Sequence, residues 1–288
     1  MANDDSMISA VGIGLKSQHF DVAIQASKQE VDFFEVHAEN YFNQGGLNHA
    51  MLEQISARFP LSLHGTGLGL GNMCGIDSEH LSRLHQLVQR YQPVLVSEHL
   101  SFNQAIVNGQ KLHAGDLLPI SWNEKSFFAI ADNILRVQDY LGRQILIENI
   151  SYYHIPNNNT MTETDFLNTL CRQTGCGLLV DLNNLVVNGK NFTTGSSVDY
   201  AIQWLKQINP QYIQQYHLAG SSSRQVDGFI IDDHAVAVTP DVWQVYDSVL
   251  RNFSTVPVLI EWDTDVPSWQ TLIGQAAQAK LRREQLLC

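Results

Sequence analysis

The sequence predicts an α/β chain folded as a closed (β/α)8 TIM barrel. Two observations carry that expectation. Short apolar runs rich in β-branched residues alternate with segments of helical period eight times in 288 residues, and strand–helix alternation of this kind specifies a parallel sheet. The later runs also end, one after another, in a histidine or a carboxylate, as expected where barrel strands open onto an active-site mouth. No linker or shift in composition divides the chain, so one domain over 1–288 is expected. A doubly wound open sheet is the runner-up. It would call for a phosphate turn, and the one Gly-rich candidate, Gly65–Gly71, reads G-T-G-L-G-L-G without the G-x-G-x-x-G spacing.

The first strand is Val11–Leu15 and the first helix Gln18–Lys28. Val31–Val36 is the second strand, ending in His37-Ala38-Glu39-Asn40, and Asn48–Arg58 has helical periodicity. Leu61–His64 is the third strand, followed by the glycine-rich segment, which either lets backbone approach a ligand closely or is a flexible rim loop. A helix over Ser78–Tyr91 takes Ser78 as N-cap. Pro93–His99 is the fourth strand, and a polar loop with His113 and Asp116 follows. Ser121–Leu141 is a long helix whose aromatic and aliphatic stripe belongs to the core. Ile145–Asn149 is the fifth strand, and Thr162–Gln173 a helix capped by Thr162 or Thr164. Gly177–Asp181 is the sixth strand, leading into Leu182-Asn183-Asn184, with a helix at Val198–Ile208. Tyr212–His217 is the seventh strand, and its loop holds Asp232-Asp233-His234. Pro240–Arg251 is a helix with proline in its first turn, Val256–Glu261 the eighth strand, and Trp269–Leu286 the last helix.

Bulk properties exclude several classes. Lys+Arg is 17 and Asp+Glu is 29, a net charge of −12, which argues against a nucleic-acid backbone as partner. The acidic start, Met1–Ser6, lacks a signal pattern, and no apolar run reaches membrane-span length. Cys74, Cys171, Cys176 and Cys288 have no C-x-x-C spacing, so reduced thiols and a cytoplasmic location are expected.

The strand ends carry the chemistry. In order they supply His64; Glu98 and His99; Glu148 and Asn149; Asp181 with Asn183 and Asn184 behind it; His217 with Asp232 and His234 in its loop; and Glu261. Glu98 should face away from His99, because strand neighbours alternate sides. His37 and His113 lie near the mouth without a clear assignment, and His19, His49, His80, His85 and His154 are expected at the surface. Carboxylates gathered at one mouth repel unless cations neutralise them. Imidazole mixed with carboxylate suits iron, zinc or manganese, and so many ligands imply two or three ions. Glu148, with two oxygens on a central strand, is the candidate bridge. Asp232-x-His234 would present both side chains on one face if that segment is extended. The asparagines could orient carboxylates, or one could ligate through its carbonyl oxygen.

Taken together, F-E-V-H-A-E-N-Y (Phe34–Tyr41), L-H-G (Leu63–Gly65), S-E-H-L-S (Ser97–Ser101), I-E-N (Ile147–Asn149), D-L-N-N (Asp181–Asn184), H-L-A-G (His217–Gly220), D-D-H (Asp232–His234) and I-E-W-D (Ile260–Asp263) resemble the multinuclear non-haem iron-dependent oxidases of the methanobactin biosynthesis oxidase type, from about Gly12 to Leu272. The resemblance implies His64, His99 and Glu148 around one iron. It implies Asp181, His217 and Glu261 around a second, with Glu148 bridging, and Asp232, His234 and Asn183 around a third and more labile one. Glu148, Asp181 and His217 would be catalytic. It further implies O2 as co-substrate, a cysteine-containing ribosomally made precursor peptide as substrate, and a leader-binding partner protein on a separate chain. Two other readings use the same residue types: a multinuclear zinc barrel, either an abasic-site endonuclease or a sugar isomerase, and a non-catalytic metal-binding accessory protein.

Overall fold

A computed structural model describes residues 7, 9–222, 224–253 and 256–287; Met1–Ser6 and Cys288 lie outside the described residues. Eight strands close into a parallel barrel. In chain order they are β1 (Val11–Gly14), β2 (Phe33–His37), β3 (Leu61–Gly65), β4 (Leu95–His99), β7 (Leu146–Glu148), β8 (Gly177–Asp181), β9 (Ile213–Leu218) and β12 (Val258–Ile260), and β12 pairs with β1 to close the ring. Two hairpins stand outside it: β5 (Phe102–Val107) with β6 (Gln110–Leu118), and β10 (Gln225–Val226) with β11 (Phe229–Ile230). The helices are α1 (Phe20–Ala23), α2 (Leu47–Ser56), α3 (Ser78–Tyr91), α4 (Glu124–Leu141), α5 (Glu163–Thr174), α6 (Leu182–Phe192), α7 (Ser197–Gln207), α8 (Pro240–Asn252) and α9 (Trp269–Leu287). No helix among the described residues is long and apolar enough to cross a membrane.

The strands are short and buried on both faces, the state their β-branched, nearly continuous apolar runs require. Outward residues such as Ile147 and Val180 meet the apolar faces of helices, including Leu167 and Leu170 of α5, in one continuous core. Parallel registry then lines up the strand ends. His37 pairs with His64, His99 with Glu148, and Asp181 with His217. Neighbouring strands lie about 4.8 Å apart, so these side chains are set shoulder to shoulder around the mouth.

Several local expectations need correction. The first helix shrinks to α1 after a 3-10 turn at Ser17–His19, because Ile24–Gln29 turns back toward β2. The polar stretch with His113 and Asp116 is the β5–β6 hairpin, and both residues are exposed on it. Its sequence lacks clean apolar alternation because neither face is fully buried. Asn123, not Ser121, opens the long helix α4, its side chain accepting the Ser126 N–H at 3.0 Å. Leu182-Asn183-Asn184 is the first turn of α6, an extra helix capped by Asp181, whose carboxylate accepts the Asn184 N–H at 2.7 Å.

The cap of α3 is Asp77, one residue before the predicted Ser78: its carboxylate accepts the N–H groups of Glu79 and His80 at 2.9 and 3.2 Å. Replacing an N-cap acceptor by alanine costs about 1 kcal/mol. Asp77→Ala should therefore lower unfolding stability by about that amount in urea titration, whereas Ser78→Ala should leave the midpoint unchanged.

Candidate metal centre

The centre is built from two layers of inward side chains, two residues apart on the same strands. The upper layer sits at the strand ends and holds His37, His64, His99, Glu148, Asp181, His217 and Glu261. The lower layer lies one pleat deeper and includes Glu35, Ser62, Ser97 and Gln215, all buried. The lower layer orients the upper. Ser97 Oγ lies 2.8 Å from His64 Nδ1, and the Gly65 carbonyl 3.2 Å from His99 Nδ1, so both rings turn Nε2 toward the axis. Glu35 Oε1 lies 3.1 Å from His217 Nε2, while its Oε2 accepts hydrogen bonds from Ser62 Oγ and Gln215 Nε2, both at 2.8 Å. His217 Nδ1 is left facing the centre. Fixing one ring nitrogen in this way sets which nitrogen is free to ligate.

Glu148 is the hub. Its Oε2 lies 3.2 Å from His64 Nε2 and 3.4 Å from His99 Nε2, and its Oε1 lies 3.9 Å from His217 Nδ1. His64, His99 and Glu148 therefore converge on one point, and Glu148, Asp181, His217 and Glu261 on a second, each set with donor atoms within 4.8 Å of one another. Glu261 Oε2 is 3.0 Å from His217 Nδ1 and 3.2 Å from His234 Nδ1. His234 Nε2 lies 2.9 Å from Asp232 Oδ1 and 3.8 Å from Asp181 Oδ2, so the Asp232–His234 loop comes down onto the same carboxylates. The segment is not extended as expected: His234 has φ +43°, and this left-handed turn brings its ring back beside Asp232. Asn183 donates its amide to Asp232 Oδ1 at 2.7 Å and to Ser221 Oγ at 2.7 Å. Every predicted ligand thus joins one connected cluster.

Burial makes this cluster electrostatically tense. Glu148 and Asp181 are 1% and 0% exposed, yet Glu148 Oε2 and Asp181 Oδ2 have no hydrogen-bond partner. Burial, with Glu261 and Asp181 as like-charged neighbours, pushes Glu148 well above the carboxylate range. Burial likewise lifts Asp181 to about 7 despite His234 nearby. Burial and the adjacent His99 drop His64 to about 3, so its imidazole is neutral with a lone pair at Nε2. His217 behaves oppositely: burial disfavours its charge, but Glu35 and Glu261 outweigh that and raise it well above the usual histidine range. Glu35, pushed up by burial, is brought down to about 2 by His217.

Sequence reading missed Glu35 and Asp263. Asp263 lies 3.5 Å from His37 Nε2, 3.6 Å from His234 Nδ1 and 2.5 Å from Lys16 Nζ, and so places His37 at the rim beside Glu261. The available signal was the strand period, since a polar residue two before a ligand shares its face: Glu35 before His37, Gln215 before His217, and Asp263 two after Glu261. Glu98 faces away from His99 as expected. It is buried, beside the half-buried Glu39 and His80, next to the glycine-rich segment. That segment is tied to this group: Glu39 Oε1 accepts the N–H groups of Thr66 and Gly67 at 2.9 and 2.8 Å, and a Cβ on Gly65 would overlap the Glu98 carboxylate. His19 and His49 are buried rather than superficial; His49 Nδ1 lies 2.6 Å from Tyr91 Oη. Cys171 and Cys176 are free and buried, their sulfurs 3.8 Å apart.

The chain resembles known proteins over nearly its whole length. The chain is 42% identical over 269 residues to a UPF0276 protein of Chromobacterium violaceum, covering 93% of each. It is 40% identical to one of Psychromonas ingrahamii, covering 96% of this chain and 95% of the relative. Among solved structures, endonuclease IV from Thermus thermophilus superposes with a TM-score of 0.60 at 12% identity, over 96% of this chain and 99% of that one. A D-psicose 3-epimerase from Clostridium cellulolyticum gives 0.55, also at 12%, over 96% and 99%. At such identities the likeness is one of fold. The sequence model of the RiPP precursor modification enzymes MbnB/TglH/ChrH matches residues 10–283, and the chain belongs to that family.

Proposed function

We propose that this enzyme is an iron- and O2-dependent oxidase that modifies cysteine residues of a ribosomally synthesised precursor peptide at a multinuclear site in the barrel mouth. The observation that carries the reading is the pair of orphaned buried oxygens, Glu148 Oε2 and Asp181 Oδ2, within a cluster of histidine and carboxylate donors that converge on shared points. A buried carboxylate without a partner is costly, and the donor set of nitrogen and oxygen atoms fits two or three borderline cations. Membership of a precursor-modifying family supports a peptide as substrate.

In this reading His64, His99 and Glu148 hold one ion. Asp181, His217 and Glu261 hold a second, with Glu148 shared, and Asp232, His234 and Asn183 hold a third. Iron held there would supply Lewis acidity toward a cysteine thiol and a redox relay through which electrons from the oxidised peptide would reach O2. The chain's own part is preorganisation. Ser97 and Gly65 keep Nε2 of His64 and His99 turned inward, and Glu35 keeps His217 Nδ1 turned to the centre. Asn149 holds the backbone of Asp181 at both ends, accepting its N–H at 2.9 Å and donating to its carbonyl at 3.1 Å. The bowl is closed below by the buried Glu35 layer, so substrate enters from the rim, where His37, Lys16 and Asp263 stand partly exposed. Leader recognition is assigned to a separate partner chain.

Anaerobic iron loading should give two to three irons per chain, and a cysteine-containing precursor peptide should then drive O2 consumption. Glu148→Ala or Asp181→Ala should reduce turnover to background. Full activity in either variant, or activity with zinc and no O2, would overturn the oxidase assignment.

A second expectation concerns pH without metal. Asp181 titrates at about 7 in the fold and at about 4 when unfolded. Its folded pKa is raised, so its contribution is intact below about pH 4 and is lost as pH rises through about 7. Metal-free protein should melt at lower temperature at pH 8 than at pH 5.5. Asp181→Asn, which keeps the acceptor for the Asn184 N–H, should flatten that slope; an unchanged slope would show that Asp181 is not its source.

A further inference from the structure

Helix α6 carries four asparagines in eleven residues, Leu182–Phe192. Asparagine is a poor helix interior residue because its amide competes for backbone hydrogen bonds. Here the amides are used off the helix. Asn184, Asn188 and Asn191 stand at i, i+4 and i+7, on one face. Asn184 Nδ2 donates to the Asn149 carbonyl at 3.0 Å. Asn188 donates to the Ile150 carbonyl at 3.0 Å and accepts the Tyr152 N–H at 3.0 Å. Asn191 donates to the Ile230 carbonyl at 3.0 Å and accepts the Ile230 N–H at 2.8 Å.

The last pair is a two-point clamp on the main chain of one residue, the pattern by which one strand grips another. It fixes backbone conformation without reading a side chain. Ile230 ends β11 two residues before Asp232. Further ties on Asp232 come from the same helix and from the loop after β7: Asn183, Ser151 Oγ at 3.1 Å, and Tyr153 Oη, which accepts the Asp232 N–H at 2.9 Å; Ser221 Oγ adds a bond to its carboxylate at 3.2 Å and His234 Nε2 lies 2.9 Å from it. The helix that Asp181 caps at one end therefore governs the Asp232–His234 loop from the other.

We infer that Asn191 is a positioning residue that holds Asp232 and His234 over the barrel-borne ligands, with Asn188 doing the same for the loop after β7. The consequence for metal rests on the proposed function; the clamp itself does not. The two are separated by measuring hydrogen exchange on the full-length metal-free protein and iron content on the anaerobically loaded protein. Asn191→Leu should speed exchange of the Ile230 and Asp232 amides at least tenfold and leave Tyr152 unchanged, and Asn188→Ala should speed exchange of the Tyr152 amide and leave Ile230 unchanged. Asn191→Asp keeps the acceptor for the Ile230 N–H and should restore protection there, should the leucine variant fold poorly. On loading, Asn191→Leu should lose one iron per chain and the matching component of the Mössbauer spectrum, while the remaining components keep their parameters.

Wild-type exchange at Ile230 and Asp232 in Asn191→Leu would overturn the clamp whatever the metal content. Faster exchange with unchanged iron count and spectrum would overturn the positioning role. A wild-type protein that takes up no iron would sink the oxidase reading, and the exchange data alone would then decide the clamp.

Discussion

The constraint on which the rest of this structure turns is the burial of the Glu148 carboxylate on the barrel axis. Its residue is 1% exposed, one oxygen has no hydrogen-bond partner, and Asp181 and Glu261 stand against it. Desolvating a carboxylate costs several kcal/mol even after relaxation, more than the hydrophobic gain from a single buried side chain. The fold meets this locally with imidazoles: His64, His99 and His217 all point a ring nitrogen at it. Protons can neutralise the cluster only by raising the affinities of Glu148 and Asp181, which the geometry does. A set of acids that must either hold protons they would normally release or share cations is suited to binding cations.

Much of this was legible in the chain because the barrel converts sequence position into spatial position. Once eight strands are recognised, their ends share one rim, so His64, Glu148, Asp181, His217 and Glu261 could be grouped from residues up to about two hundred apart. What stayed hidden follows different rules. The β5–β6 hairpin is half-solvated and has no strong apolar period. The Leu182–Phe192 helix is rich in asparagine, so propensity argued against it, and tertiary hydrogen bonds decide its state. Glu35 looked like an interruption in an apolar strand, because its partners Ser62, Gln215 and His217 lie on distant strands. The helix cap moved by a single residue, within the margin at which an aspartate and a serine side by side are equivalent as acceptors.

The likeness to endonuclease IV and to sugar epimerases has a physical meaning limited to the scaffold. Those chains share the barrel at about one residue in eight identical, and a barrel places ligand-bearing strand ends at its mouth whatever the reaction. The net charge of −12 lends no support to a nucleic-acid partner, because phosphate binding depends on cationic side chains and Lys+Arg is 17 against 29 Asp+Glu.

Within the cluster the side chains divide by what carries them. His64, His99, Glu148 and His217 project from strands hydrogen-bonded on both sides; the rings of His64 and His217 are set by Ser97 and Glu35 one pleat below, and that of His99 by the Gly65 carbonyl. Asp232 and His234 sit on a loop outside the barrel sheet, held by side chains and by the His234 carbonyl, which accepts the Asp263 N–H at 3.0 Å, and His234 adopts a left-handed conformation to reach Glu261. Loop-borne ligands open more easily than strand-borne ones, since local unfolding starts where backbone hydrogen bonds are few. If three ions are bound, the one held by Asp232 and His234 should therefore exchange first, for a reason of support rather than ligand strength: both sets offer imidazole and carboxylate.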